Sequence, residues 1–219
     1  MTTPVQRALD VGCGTGLSTI ALKEIAERVV GVDSSVEMIG LASLDSNIDY
    51  QLAKAEHLPF RDLAFDLVTV SQAIHWFDRV GFLRETRRIM KTEGSLIVYD
   101  NYFAGSDNGA FNVWHQESYL KRYPSPPRPW AAFAAEDAEQ EGFHLVGDEV
   151  IRNTISFSHF RLIDYFTTQS NIIAAVEEGN ESITETRAWL KENLECFFEG
   201  SAKRDFLFKA PIWYLQRSE

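Results

Sequence analysis

Ala8-Leu9-Asp10-Val11-Gly12-Cys13-Gly14-Thr15-Gly16-Leu17-Ser18 is the stretch that decides the fold. An apolar run stops at glycines on alternate positions. Leu17, Ile20, Ala21 and Ile25 then follow at helical spacing. The pattern reads as strand, tight turn and helix. Glycines let the chain turn sharply and let a ligand approach bare backbone. A helix beginning near Gly16 offers unpaired N–H groups to such a ligand.

Working outward, the same alternation repeats. Arg28 to Val32 is a second apolar run, ending at Asp33, and Ser34 and Ser35 suit the cap of a short helix with Val36 and Ile39 inside it. Asp49 to Ala53 and Phe65 to Val70 read as the next strands, Phe82 to Met90 as a helix, and Leu96 to Tyr99 as a fifth strand. Continuous apolar strands alternating with helices indicate a parallel sheet covered on both faces, and right-handed crossovers make it doubly wound. Asp33 closes the second strand, where doubly wound folds place an acid on the ribose hydroxyls of an adenosine ligand. The glycine spacing is G-x-G-x-G, with Leu17 after Gly16, and departs from the dinucleotide fingerprint G-x-G-x-x-G.

After Asp100 the pattern changes. Residues 102–135 are rich in aromatic side chains and broken by Pro124, Pro126, Pro127 and Pro129, which implies an ordered inserted cap. Residues 137–142 suggest a short helix and Leu145 to Phe157 a long strand. Phe160 to Val176 reads as one helix, 184–198 as an amphipathic helix, and Phe206 to Leu215 as a final antiparallel strand. The expectation is a single domain over 1–219, with the cap at 102–135 and a helical cap at 159–200 between the last two strands. The fold class is α/β: a Rossmann-like, doubly wound, mostly parallel seven-stranded sheet with an antiparallel last strand and helical and aromatic cap insertions.

The chain has 219 residues, of which 45% are hydrophobic and 24% charged, and a net charge of −11. That describes an ordinary globular chain and argues against a nucleic-acid partner. The two cysteines, Cys13 and Cys196, have no metal-ligand spacing, so no metal site is expected and a reducing, cytoplasmic compartment is. No leader pattern and no membrane-length apolar run is visible. A monomer or homodimer acting on a small molecule is expected.

Leu9 to Gly16 resembles the first motif of the class I S-adenosylmethionine-dependent methyltransferases. Val30 to Ser35, Ala53 to Phe60 and Phe65 to Ser71 resemble their second, third and fourth. Gln72-Ala73-Ile74-His75-Trp76-Phe77 is similar to a small-molecule branch, the trans-aconitate methyltransferase-like proteins (methyltransferase type 11). The resemblance implies S-adenosyl-L-methionine as cofactor and S-adenosyl-L-homocysteine as product. The backbone at Gly12 and Gly14 would face the methionine part, Gly16 would complete the cofactor-binding turn, Asp10 would lie near the methionine amino group, and the Ser71 backbone would receive that group. Asp33 would hold the ribose, Ser34 and Met38 would border the adenine, and Ala55 and Glu56 would line its edge. Lys54 departs from the family, since many relatives carry Asp there. Only a few residues precede the first strand where relatives carry a covering segment, so the expectation is an open site or a truncated piece with weakened cofactor binding.

Methyl transfer from a sulfonium needs alignment and exclusion of water more than it needs a base. His75, just past the fourth strand, is the candidate base where the acceptor must lose a proton. Trp76, Tyr102, Arg122 and Arg128 are candidate acceptor contacts, the arginines for a carboxylate. The expected function is methyl transfer to a small-molecule carboxylate or hydroxyl. The alternatives are a non-catalytic protein of the same fold and a nicotinamide-dependent oxidoreductase.

Overall fold

The computed structural model describes residues 5–43, 45–126 and 133–218. They fall into two compact units, one drawn from Met1–Asn101, Arg128–Ile151 and Ala210–Glu219, the other from Tyr102–Pro127 and Arg152–Lys209.

The first unit opens with the predicted alternation: β1 (Val5–Val11), α1 (Leu17–Leu22), β2 (Ala26–Asp33), α2 (Val36–Leu41), β3 (Ile48–Leu52), β4 (Phe65–Ser71), α3 (Arg79–Ile89) and β5 (Met90–Tyr99). β1 lies between β2 and β4, β3 flanks β2 and β5 flanks β4, all parallel. Crossover helices bury both faces of such a sheet, which is why the central strands β1 and β4 carry continuous apolar runs while the flanking β3 mixes polar residues. Leu9 and Val11 of β1 pack with Val68 and Val70 of β4 and with Phe82, Leu83 and Ile89 of α3. Ala8, one residue out of phase, packs on the other face with Leu22, Val29 and Leu67. The crossovers leave the carboxyl ends of β1 to β4 at one edge of the sheet, where ligands of doubly wound folds bind.

After β5 the chain forms β6 (Tyr102–Ser106), α4 (Gly109–Trp114), a π turn over His115–Tyr119, α5 (Leu120–Arg122), α6 (Ala135–Glu139) and β7 (Phe143–Phe157). It then forms α7 (His159–Thr167), α8 (Ser170–Glu177), α9 (Ile183–Leu194) and β8 (Arg204–Arg217). The later part of β8 runs antiparallel to β5, with Leu96 opposite Leu215. Its earlier part runs antiparallel to β6, with Phe103 opposite Phe208. β7 also pairs with β8. Among the described residues the sheet therefore has eight strands, β6 being the addition to the expected set.

The second unit is built on aromatic burial. Phe111, Tyr119, Tyr123, Phe166, Phe206 and Phe208 pack with Leu162, Ile163, Leu190 and Leu194. Buried Asn171 ties the cluster together: its Nδ2 donates to Tyr123 O at 2.8 Å, and its Oδ1 accepts from Tyr119 Oη at 3.2 Å. The single helix expected over 160–176 is two. Thr167 and Thr168 donate their hydroxyls back to the carbonyls of Asp164 and Tyr165, and Gln169 takes extended backbone before α8 begins. Among the described residues no helix is long and apolar enough to cross a membrane.

Candidate active site

The glycine turn is the centre of the site. Gly12, Gly14 and Gly16 have φ of 72°, 53° and 85°, the left-handed region that L side chains avoid. Gly12 and Cys13 both donate N–H to Val32 O, at 2.8 and 3.0 Å, so the turn hangs on the end of β2. Two of the glycines also make room. A Cβ on Gly12 would meet Ala73 Cβ at 2.5 Å and Phe77 Cζ at 3.0 Å, and one on Gly16 would meet Tyr50 Oη at 2.2 Å. Around Gly14 a Cβ would meet nothing within 4 Å.

Asp10 holds the turn from below. Its Oδ2 accepts from Ser18 Oγ at 2.6 Å and Thr19 Oγ1 at 2.7 Å, and its Oδ1 from Thr69 Oγ1 at 3.1 Å. Burial pushes its carboxyl above the usual carboxylate range, the nearby charge of Asp33 adds to this, and the three hydroxyl donors oppose it. At 0% exposure Asp10 lies beneath the turn, with its oxygens facing the three hydroxyls. It is a positioning residue, binding β1, the first turn of α1 and β4 into one joint.

Asp33 grips the turn from above. Its Oδ2 accepts from Gly14 N at 2.8 Å and its Oδ1 from Ser35 N at 2.9 Å. An ionised carboxylate has about four acceptor positions, so each oxygen keeps one for a hydroxyl donor. Beside it lies a cavity of about 350 Å³, lined by Gly12, Asp33, Ser34, Ala53, Lys54, Ala55, Glu56, Ala73, Trp76 and Phe77. Glu56 Oε1 accepts from Asp78 N at 2.9 Å, which fixes the loop after β3 against the start of α3. Trp76, 58% exposed, lines the cavity, while Phe77 also packs against the core.

The cavity therefore brings together Gly12, Asp33, Ser34, Ala55, Glu56 and Trp76 of the expected residues. Gly14 and Gly16 shape the turn outside its lining. Met38 sits on α2 with its N–H taken by Ser35 Oγ, and Ser71 closes β4 opposite Tyr99; neither lines the cavity. His75 lies in a single 3-10 turn, Ile74–Trp76, and is 9% exposed, with its ring centre 5.0 Å from that of Trp76. It does not line the cavity either, and it stands as a buried neighbour of the wall residue Trp76.

Tyr102 and Arg122 belong to the second unit. Tyr102 is exposed on β6. The Arg122 guanidinium is engaged by Glu181 Oε1 at 2.6 Å and by Tyr123 Oη at 3.1 Å, and it lies over the Trp189 ring. Its charge is thus answered by Glu181 within the second unit. Arg128, with Trp130, lies outside the described residues. Among the described residues no group of three or more His, Cys, Asp or Glu is placed to hold a metal.

Sequence reasoning missed Tyr50, Ala53, Ala73 and Phe77 as parts of the site. Ala73 had a readable signal. It follows Gln72, whose φ is 54°, and only a small side chain fits against Gly12. Tyr50 had none, since its packing under Gly16 and Gly31 is purely tertiary.

A family model described as the methyltransferase domain matches residues 9–98. A protein of Dictyostelium discoideum named as a candidate methyltransferase is 29% identical over 185 residues, covering 80% of this chain and 68% of that one. A demethylmenaquinone methyltransferase of Mycobacterium is 32% identical over 130 residues, covering 59% of this chain and 55% of its own length. Among solved structures, a candidate type II methyltransferase from Anaeromyxobacter dehalogenans aligns with a TM-score of 0.75 at 22% identity, covering 97% of this chain and 89% of that one. Residues 9–98, which carry the G-x-G-x-G turn and the acid that grips it from the end of β2, are thus the part of the chain that matches the methyltransferase domain, and the chain shares the fold of a candidate methyltransferase.

Proposed function

We propose that the protein transfers the methyl group of S-adenosylmethionine to a small-molecule acceptor through a carboxylate or hydroxyl oxygen. The observation that carries this reading is the position of Asp33, with one carboxylate clamping Gly14 and lining the cavity that Gly12 leaves open. The residues fit the cofactor. A Cβ would fill the cradle at Gly12, and the two oxygens of Asp33 retain lone pairs for vicinal ribose hydroxyls. Ala55 and the flat side chains of Trp76 and Phe77 suit a purine ring. Lys54 only donates hydrogen bonds, so an adenine amino group is left to Glu56 Oε2 or to backbone carbonyls.

When bound, S-adenosylmethionine supplies an electrophilic methyl group on a sulfonium with an excellent leaving group. The protein's share is to hold and align. Asp33 and the turn fix one end, Trp76 and Phe77 exclude water along the wall, and Asp10 keeps the joint beneath them rigid. A carboxylate acceptor is already ionised at neutral pH and needs no proton removed.

Calorimetric titration with S-adenosylhomocysteine tests the reading. Asp33→Ala should weaken binding at least tenfold, the loss expected when hydrogen bonds to a charged acceptor are removed. Unchanged affinity in a variant that melts like the parent removes Asp33 from the site. Transfer of labelled methyl to a panel of carboxylates and alcohols then tests the acceptor class. Methylation confined to amines or thiols would overturn the choice of oxygen.

A further inference from the structure

A second cavity of the first unit, about 600 Å³, opens at the opposite end of its parallel strands. The cofactor cavity takes Gly12, Asp33 and Ala73, which follow the carboxyl ends of β1, β2 and β4. The second takes Asp62 from the approach to β4, Arg84, Arg87 and Arg88 from the end of α3, Glu141, and Arg217 from the end of β8 beside the start of β5. β4 has seven residues, which at its rise per residue puts the two cavities roughly 20 Å apart.

Four arginines meeting in a chain of net charge −11 need an account. Two are committed. Arg88 bonds Glu85, Asp62 and the carbonyls of Leu58 and Phe60, and Arg84 pairs with Glu141 at 2.9 Å. Among the described residues Arg217 donates through Nη1 alone, to Met90 O at 2.9 Å. Among the described residues Arg87 makes no ion pair and no hydrogen bond, and its Nε is buried with no acceptor. A guanidinium carries five N–H donors, so most of the donors on Arg87 and Arg217 are unspent.

The seat of Arg87 is built. Gly142 lies beneath it with φ of 81°, and a Cβ there would stand 2.7 Å from Arg87 Nε and 3.2 Å from Cζ. The carbonyls at the end of α3, which would repel an anion, are covered. Arg88 O accepts from Leu63 N, Ile89 O from Ala64 N, and Met90 O from Arg217.

We propose that this cavity binds a phosphate-bearing small molecule, held by the unspent donors of Arg87 and Arg217. Paired guanidinium groups recognise oxyanions through parallel N–H bonds, and the volume exceeds what phosphate alone would fill. The same chemistry is offered by free phosphate and by an organic phosphate monoester.

Calorimetry on the full chain with inorganic phosphate, with ribose 5-phosphate, and with sodium chloride at matched ionic strength tests this. The expected result is saturable binding of the phosphates in the range of roughly millimolar or tighter, with none for chloride. Arg87→Ala and Arg217→Gln should each weaken it at least tenfold, and Arg87→Lys less, while all three keep the parent's affinity for S-adenosylhomocysteine. Tighter binding of ribose 5-phosphate identifies an organic phosphate, and equal binding identifies phosphate itself. Phosphate binding that survives in both Arg87→Lys and Arg217→Gln at parental strength, or an effect that chloride reproduces, overturns the proposal. Should Arg87→Ala fail to fold, those two variants carry the test.

Discussion

Gly12→Ala separates the two demands made on the turn. At φ of 72° an L side chain costs about 1–2 kcal/mol. The new Cβ would also stand 2.5 Å from Ala73 Cβ and 3.0 Å from Phe77 Cζ, and forcing a methyl into a packed site costs about 1–3 kcal/mol more. The sum is about 2–5 kcal/mol, a large part of a typical domain's stability. Gly14→Ala is the internal control. Its φ of 53° is also left-handed, but its Cβ meets nothing within 4 Å, so only the backbone cost of about 1–2 kcal/mol remains. Urea unfolding followed by circular dichroism reads the difference. With m near 2 kcal/mol/M, the midpoint should fall by about 1–2.5 M for Gly12→Ala and about 0.5–1 M for Gly14→Ala. Combining Gly12→Ala with Ala73→Gly should recover the contact part, giving a coupling of about 1–3 kcal/mol in the cycle. Equal midpoints for the two single variants, or no coupling to Ala73, would refute the steric argument.

Asp10→Asn should change the pH dependence of stability. The folded carboxyl is raised above its unfolded value of 3.8, so its contribution is greatest below that pH and is lost as pH rises through the folded value. The variant should therefore gain on the parent from pH 4 to 8 in urea titrations, and a constant difference refutes this. His115 works in the opposite sense. Burial pushes its imidazole down to about 4 from 6.5, so the stability it contributes is complete above pH 6.5 and is lost as pH falls towards 4. His115→Phe should flatten the melting temperature across that window, and parallel curves would disprove it. Cys13 is buried and its thiol is pushed up to about 12 by burial, whereas Cys196 is exposed. Iodoacetamide at pH 8 should modify one thiol in the native protein and two in urea, and two in the native protein would count against the buried turn.

How far the sequence could be read followed the range of the interactions involved. β1, β2, β4 and β5 were legible because each carries a continuous apolar run bounded by turn residues, β3 because it follows the same strand-helix alternation, and Asp33 because it ends β2. β6 was not. Five residues, Tyr102 to Ser106, carry no alternation, and their partners are Phe206 to Lys209, about a hundred residues on. The break between α7 and α8 escaped periodicity because Ile172 and Ile173 continue the apolar spacing, while the stop is made by threonine hydroxyls bonding back to the helix. The site divides in the same way. Gly12 and Asp33 announce themselves by residue type and position. The convergence of Ser18, Thr19 and Thr69 on Asp10, the burial of His75 and the neutralisation of Arg122 by Glu181 are products of tertiary packing, and no local pattern encodes them.

On the proposed reading, the grip of Asp33 on Gly14 and Ser35 would make choice of ligand and integrity of the fold inseparable at that position. In many nucleotide-binding proteins the acid that reads the ribose can be exchanged when a different cofactor is wanted. Here the exchange would also release two backbone amides and loosen the loop that gives the cavity its floor. An engineer seeking a new cofactor preference would have to leave Asp33 in place and work on Lys54, Glu56 and Trp76, whose side chains line the cavity without tying the glycine loop to the end of β2. Natural divergence would meet the same constraint, and drift should run along that wall before it touches the keystone.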